Sequence, residues 1–132
     1  MIKIGLDNGI IIKRYVDAKH KTFAMDRLFN KQENFQKETG DCEVLYWRKQ
    51  WTYRNRIVDT LSEVCPNNGG HYYLNMEGID VLISTLAMMV IFHEKPDQDF
   101  GFNFKENLQN LRELKHFMEF NPDAEVYFYD SY

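Results

Sequence analysis

Two cysteines and three prolines in 132 residues leave the chain with little covalent or conformational bracing. Cys42 and Cys65 sit in neither a CxxC nor a Cys/His spacing, so a zinc ribbon is excluded and a reducing compartment, the cytoplasm, is the expectation. His20, His71, His93 and His116 are scattered without the i, i+4 pairing of a helical zinc site, and neither a metal nor another cofactor is assigned. Long hydrophobic runs are also missing. The most apolar stretch, residues 79–92, falls short of the roughly 20 residues that a membrane span needs, and it contains Asp80. The opening residues reach Asp7 before any apolar run develops, which is not the build of a signal peptide, so no membrane partner is expected. Positive charge is in deficit as well: 16 Lys and Arg against 20 Asp and Glu give a net charge of -4. That balance disfavours a general duplex-DNA binder, which needs a basic face to neutralise phosphates.

Familiar loops are absent too. Asn67-Asn68-Gly69-Gly70 lacks the Gly-Lys-Ser/Thr that completes a phosphate-cradling loop. Asp97-Gln98-Asp99 begins like a calcium loop, but Phe102 stands where glycine is required and Leu108 where the bidentate glutamate should be. No nucleophile with an adjacent base is legible, and hydrolysis of nucleotides or nucleic acid ranks last among the functions considered.

What the chain has in quantity is large side chains: ten Phe, eight Tyr and two Trp, enough to build one buried core at this length. The expectation is a single domain over residues 1–132. Asn8-Gly9 between β-rich residues predicts a hairpin turn. Met25, Leu28, Phe29, Gln32 and Phe35 follow helical spacing, and Gly40 supplies a stop. Val44, Trp47, Trp51, Val58, Leu61 and Cys65 recur every three or four residues and predict a long second helix over 43–64. A brief extended piece at residues 71–74 leads to Asn75, a suitable cap for an apolar third helix. A loop over 95–104 precedes a fourth helix carrying Leu108, Leu111, Leu114, Phe117 and Met118. Asn121-Pro122-Asp123 breaks that helix, and residues 124–129 alternate as a final strand. The predicted fold is therefore α+β and mostly helical, an amino-terminal β-hairpin packed on a bundle of about four helices.

One residue breaks the pattern of the second helix. At 100° per residue, Arg54 falls inside the apolar arc of Trp47, Trp51 and Val58. A guanidinium cannot shed its proton, so an inward arginine must meet an anion. An internal ion pair to Glu77 or Asp80 on the third helix is the favoured reading, with Ser84 in the same polar stripe. The functional alternative is a pocket in which Arg54, Arg48 and Asn55 hold a phosphate and Trp47 or Trp51 stacks a base.

Tyr46-Trp47-Arg48-Lys49, then Arg54-Asn55 and Ile57-Val58, resembles the signature helix of a widespread bacteriophage and prophage family of unknown function, whose Tyr-Trp-Arg-Lys is followed by Ile-His and an aromatic pair. The likeness runs on through residues 65–82, the Phe100-Gly101-Phe102-Asn103-Phe104 loop, similar to that family's Gly-Phe-rich loop, and residues 123–132, similar to its aromatic-serine terminus. This chain departs by having Arg54 where the family shows histidine, Tyr53 for isoleucine and Arg56 for an aromatic, so an enzymatic role for that histidine does not carry over.

The resemblance implies a phage protein acting in the host bacterial cytoplasm. The expected function is non-enzymatic binding of a host protein, as a counter-defence inhibitor, through Phe100, Phe102, Phe104, Tyr127, Tyr129 and neighbouring acids. From residue 94 onward nine acids face four bases, so that surface carries a negative charge. The alternative is a nucleotide sponge built on Trp47, Arg48, Trp51, Arg54 and Asn55. The sequence leaves oligomeric state open, a homo-oligomer included.

Overall fold

The clearest alternation in the chain is at its end, and it forms the strand β5 (Val126–Ser131), in which residues 126, 128 and 130 are buried and 127 and 129 half-buried. The computed structural model describes residues 6–18, 40–65, 71–97 and 102–131, and in it β5 is the middle strand of a five-stranded antiparallel sheet. Its companions are β1 (Asp7–Ile12), β2 (Cys42–Arg48), β3 (Ser62–Cys65) and β4 (His71–Tyr73), in the order β2-β1-β5-β4-β3. Register pairs Asn8 with Trp47 on one side and with Asp130 on the other, and Tyr72 with Phe128. Between Ile10 and Ile11 the β1–β2 register shifts, so that Leu45 and Glu43 pair while Val44 is the extra residue of a bulge. The bulge lets Val44 and Leu45 both be buried without turning Glu43 inward.

Three helices accompany the sheet among the described residues: α1 (Trp51–Ile57), α2 (Met76–Ile91) and α3 (Phe104–Phe120). Asn75 caps α2 through its Oδ1, which accepts from the Gly78 amide at 2.8 Å, and Asn103 caps α3 in the same way at Glu106. α2 and α3 run antiparallel, tied at one end by Lys115 Nζ to Asp80 Oδ1 at 2.6 Å. Their apolar stripes, Ile79, Leu82 and Leu86 against Leu111, Leu114 and Phe117, close over Ile10, Ile12, Val126 and Phe128 on one face of the sheet. None of these helices is long and apolar enough to cross a membrane.

Seven residues make a marginal helix, so α1 depends on its neighbours. Gln50 gives it no side-chain cap; instead Asp97 accepts from the Thr52 amide at 2.7 Å and from its hydroxyl at 2.6 Å. Arg56 forks onto Glu94 with two bonds of 2.8 Å, and buried Tyr53 donates its hydroxyl to the Leu82 carbonyl. Burial raises the Tyr53 phenol above its ordinary pKa, which keeps it a donor.

The architecture overturns the predicted hairpin on a four-helix bundle. Asn8-Gly9 is no turn: it lies inside β1, flanked on both sides by hydrogen-bonded strands. The predicted second helix is a strand, a short helix, a 3-10 turn at residues 58–60 and another strand. Lys49 marks the first break, with φ at 57° in the left-handed region that ends β2. Apolar and aromatic residues at mixed spacings along 42–48 suit a pleated sheet as well as they mimic a helical stripe. The helix predicted around Met25–Phe35 lies outside the described residues.

Candidate binding face and the ion pair beneath it

Arg54 does meet a carboxylate, from an element far along the chain. Period-2 alternation puts Asp130 on the buried side of β5 with Val126 and Phe128. Its Oδ2 accepts from Arg54 Nε at 2.9 Å and Nη2 at 2.8 Å, the two side chains being 0% and 15% exposed. Its Oδ1 accepts from Asn8 Nδ2 across the β1–β5 ladder. Arg54 Nη1 donates to Asn55 Oδ1 at 3.0 Å, and the guanidinium lies 5.9 Å from the Trp51 ring centroid. The interaction is a structural clamp joining α1 to the central strands. Glu77, Asp80 and Ser84, the partners expected from sequence, are exposed on α2, and Asp80 serves Lys115. Beside the clamp, Asn8 Oδ1 and Trp47 Nε1 are buried without a hydrogen-bond partner among the described residues.

The other face of the sheet is where side chains reach solvent. Outward positions run in rows across the strands: Arg48, Asp7 and Ser131; then Tyr46, Gly9, Tyr129 and His71; then Glu43, Ile11, Tyr127 and Tyr73. Tyr46 is 52% exposed and Tyr73 38%. Gly9 carries no side chain because the Tyr129 ring occupies its place, its Cε1 2.6 Å from where a Cβ would stand. That path brings the Tyr129 hydroxyl to Glu43 Oε1, to which it donates at 3.0 Å, while Tyr46 donates to Asp7 Oδ1 at 2.7 Å. His71 stacks on Tyr129 at 6.2 Å between centroids, and Tyr73 meets Tyr127 edge-on at 5.9 Å. Five aromatic side chains are thus presented on one face by three strands and held by their neighbours.

Burial raises the Glu43 carboxyl above its ordinary pKa; the Tyr129 hydrogen bond opposes that and the charge of Asp7 adds to it. The Tyr129 phenol is raised by burial and then by Glu43, and that of Tyr46 chiefly by its bond to Asp7. With its folded pKa above the unfolded one, Glu43 binds its proton more tightly in the native state, so its contribution to stability declines as pH rises through that interval. Glu43→Gln is therefore expected to be neutral or stabilising by under ~1 kcal/mol at pH 7, partial exposure limiting the gain. The gain should shrink as the pH approaches 4, as read by urea denaturation; a net loss at neutral pH would contradict the assignment.

Of the five residues expected to hold a nucleotide, Trp51, Arg54 and Asn55 come together. Trp47 is buried in the core against Tyr53, Phe102 and Phe128, and Arg48 is on the opposite face, 3.8 Å from Asp7. A cavity of about 400 Å³ opens elsewhere, between the end of β1 and the end of α3, lined by Lys13, Arg14, Phe117 and Phe120 among others and by none of those five. Of the expected partner surface, Phe102 and Phe104 are core residues in edge contact with each other, because the turn into α3 directs them inward. Phe100 lies outside the described residues. Tyr127 and Tyr129 are on the outer face as an alternating strand requires, whereas Tyr46, His71 and Tyr73 join them only through long-range register. A separate exposed apolar patch, Met88, Ile91 and Phe92, closes α2. Comparison with protein-family models, with curated proteins and with solved structures returned no match.

Proposed function

We propose that the chain is a small non-enzymatic binding protein, encoded by a phage and acting in the host bacterial cytoplasm, that inhibits a host defence protein by docking on it with the outer face of its sheet. The observation that carries this reading is the row of Tyr46, Tyr129 and His71 beside Tyr127 and Tyr73, an aromatic surface whose rings are fixed by hydrogen bonds and stacking before any partner arrives. Tyrosines on a rigid strand offer large amphipathic contact area at low entropic cost, which is what the centre of a protein interface needs. The phage origin and the host setting rest on the sequence resemblance over residues 46–132. The sponge reading has less support, since Asp130 and Asn55 already occupy the nitrogens of Arg54.

The test is capture of a host protein from bacterial lysate by the tagged full-length chain. A discrete protein should be retained by the wild type and by Phe92→Ser, and lost with Tyr46→Ala/Tyr73→Ala, whose circular dichroism should match the wild type. Capture of no specific protein, or release by Phe92→Ser alone, would overturn the proposal.

A further inference from the structure

The docking face has a sign as well as a shape. Asp7 and Glu43 stand on either side of the Gly9 row, each holding one tyrosine hydroxyl, through Oδ1 and Oε1 respectively. Among the described residues, the second oxygen of each carboxylate makes no further side-chain hydrogen bond. Among the described residues the cation beside them is Arg48, whose Nε is 3.8 Å from Asp7 and whose side chain is about half exposed. That contact is too long for a hydrogen bond. Among the described residues of these rows, two carboxylates stand against one guanidinium, which gives the face a negative sign in keeping with the net charge of -4. The Glu43 charge is under-compensated where it stands, since burial outweighs its bond to Tyr129. The rings of Tyr46 and Tyr129 lie beside these oxygens with their hydroxyls already committed, which fixes how the π surfaces face outward.

Resting on the docking role proposed above, we infer that the partner presents a basic segment to this face, with an arginine lying over the Tyr46 and Tyr129 rings and its guanidinium on the Asp7 and Glu43 carboxylates. A guanidinium is planar, forks onto carboxylate oxygens and stacks on aromatic rings, so one side chain satisfies both features of the face. Lysine supplies the charge without the plane. A nucleic acid strand could stack its bases on the tyrosines, but its phosphates would be repelled by the same carboxylates.

The full-length protein is titrated, by fluorescence anisotropy, with a labelled octapeptide alternating glycine and arginine, with its citrulline counterpart, and with labelled octathymidylate. The arginine peptide should bind saturably, about tenfold or more tighter than the citrulline peptide, and the thymidylate should not bind. Asp7→Asn/Glu43→Gln keeps both tyrosine acceptors and the side-chain shapes, and should weaken the arginine peptide by about tenfold. Affinity should rise with pH as Glu43 ionises. Equal binding of the citrulline peptide, equal binding by the double variant, thymidylate binding in its place, or no saturable binding each overturns the inference. The lysate experiment separates its failure from that of the docking role. A host protein released by Tyr46→Ala/Tyr73→Ala yet retained by Asp7→Asn/Glu43→Gln leaves the face standing and removes the arginine. Capture of nothing by the wild type removes both.

Discussion

Asp130→Ala is expected to be the most damaging single substitution at a polar position, costing about 3–5 kcal/mol, because it strands the Arg54 guanidinium in a largely buried site. The two bonds of 2.8 and 2.9 Å that Asp130 accepts from Arg54 vanish together with its bond from Asn8, so three hydrogen bonds are lost at once, and Asn8 Nδ2 keeps only its longer one to the Tyr129 carbonyl at 3.3 Å. Arg54 is 15% exposed and can move its head group part of the way to solvent, which places the cost nearer the lower end of that range than the upper. For a domain of this size such a loss is a large fraction of total stability and should lower Tm by roughly 10–20 °C. Asp130→Asn keeps one acceptor and the side-chain shape, and should cost about half as much. The charge explanation makes a sharper prediction still: Arg54→Met/Asp130→Leu should recover most of the loss, since a buried pair replaced as a whole by apolar side chains is close to neutral. Urea denaturation of the four proteins decides it. An Asp130→Ala variant within ~1 kcal/mol of the wild type would show that the clamp contributes little.

Part of this clamp was legible in the sequence. An arginine among tryptophans and aliphatics has to face an anion, whatever the local backbone, and that inference survives although the long helix on which it was drawn breaks into a strand, the short helix that carries Arg54, a 3-10 turn and a second strand. What failed was the choice of partner. Helical spacing directs attention to residues a few turns away, whereas Asp130 arrives from 76 positions along the chain as the middle strand of a sheet. Its signal was present: in Val126-Tyr127-Phe128-Tyr129-Asp130 the acid falls on the same side as Val126 and Phe128, and an acid on the apolar side of a strand also needs an explanation. Two polar exceptions to two apolar patterns are natural candidates for each other.

The cap of α2 and, two residues out of place, the last strand were readable because they are local. Asn75 caps α2 and residues 126–131 alternate as β5, each decided within a few neighbours. Residues 42–48 were misread because valine, leucine and tryptophan at mixed spacings satisfy both periods, and the β-bulge at Val44 breaks the strict alternation that would have marked a strand. The candidate face was half legible for a similar reason. Tyr127 and Tyr129 follow from one strand, but Tyr46, His71 and Tyr73 become their neighbours through pairings that no local pattern contains. Phe102 and Phe104 looked available in a glycine-containing loop, and the core at the start of α3 claimed them.

Gly9→Ala is the second large effect, and it tests why an Asn-Gly pair sits inside a strand. The usual reason for glycine after asparagine is a positive φ, but Gly9 is extended, paired with Tyr46 and Tyr129 across the two ladders, and what it provides is space. An alanine Cβ there would lie 2.6 Å from the Leu45 carbonyl oxygen, 2.6 Å from Tyr129 Cε1 and 2.8 Å from the Tyr129 hydroxyl. The tyrosine can swing away, at the loss of its bond to Glu43 and of its stack on His71. The Leu45 carbonyl belongs to β2 and cannot retreat without opening the β1–β2 ladder beside the bulge. The expected cost is about 2–3 kcal/mol, in the range of overpacking at a tight backbone contact. Adding Tyr129→Ala should return only part of it, because the backbone contact remains. The face should suffer beyond the stability loss: with Tyr129 displaced from Glu43, capture of the host protein should fall even at temperatures where the variant is folded. A Gly9→Ala protein within about 0.5 kcal/mol of the wild type, with capture intact, would mean that neither the space over Gly9 nor the position of the Tyr129 ring matters.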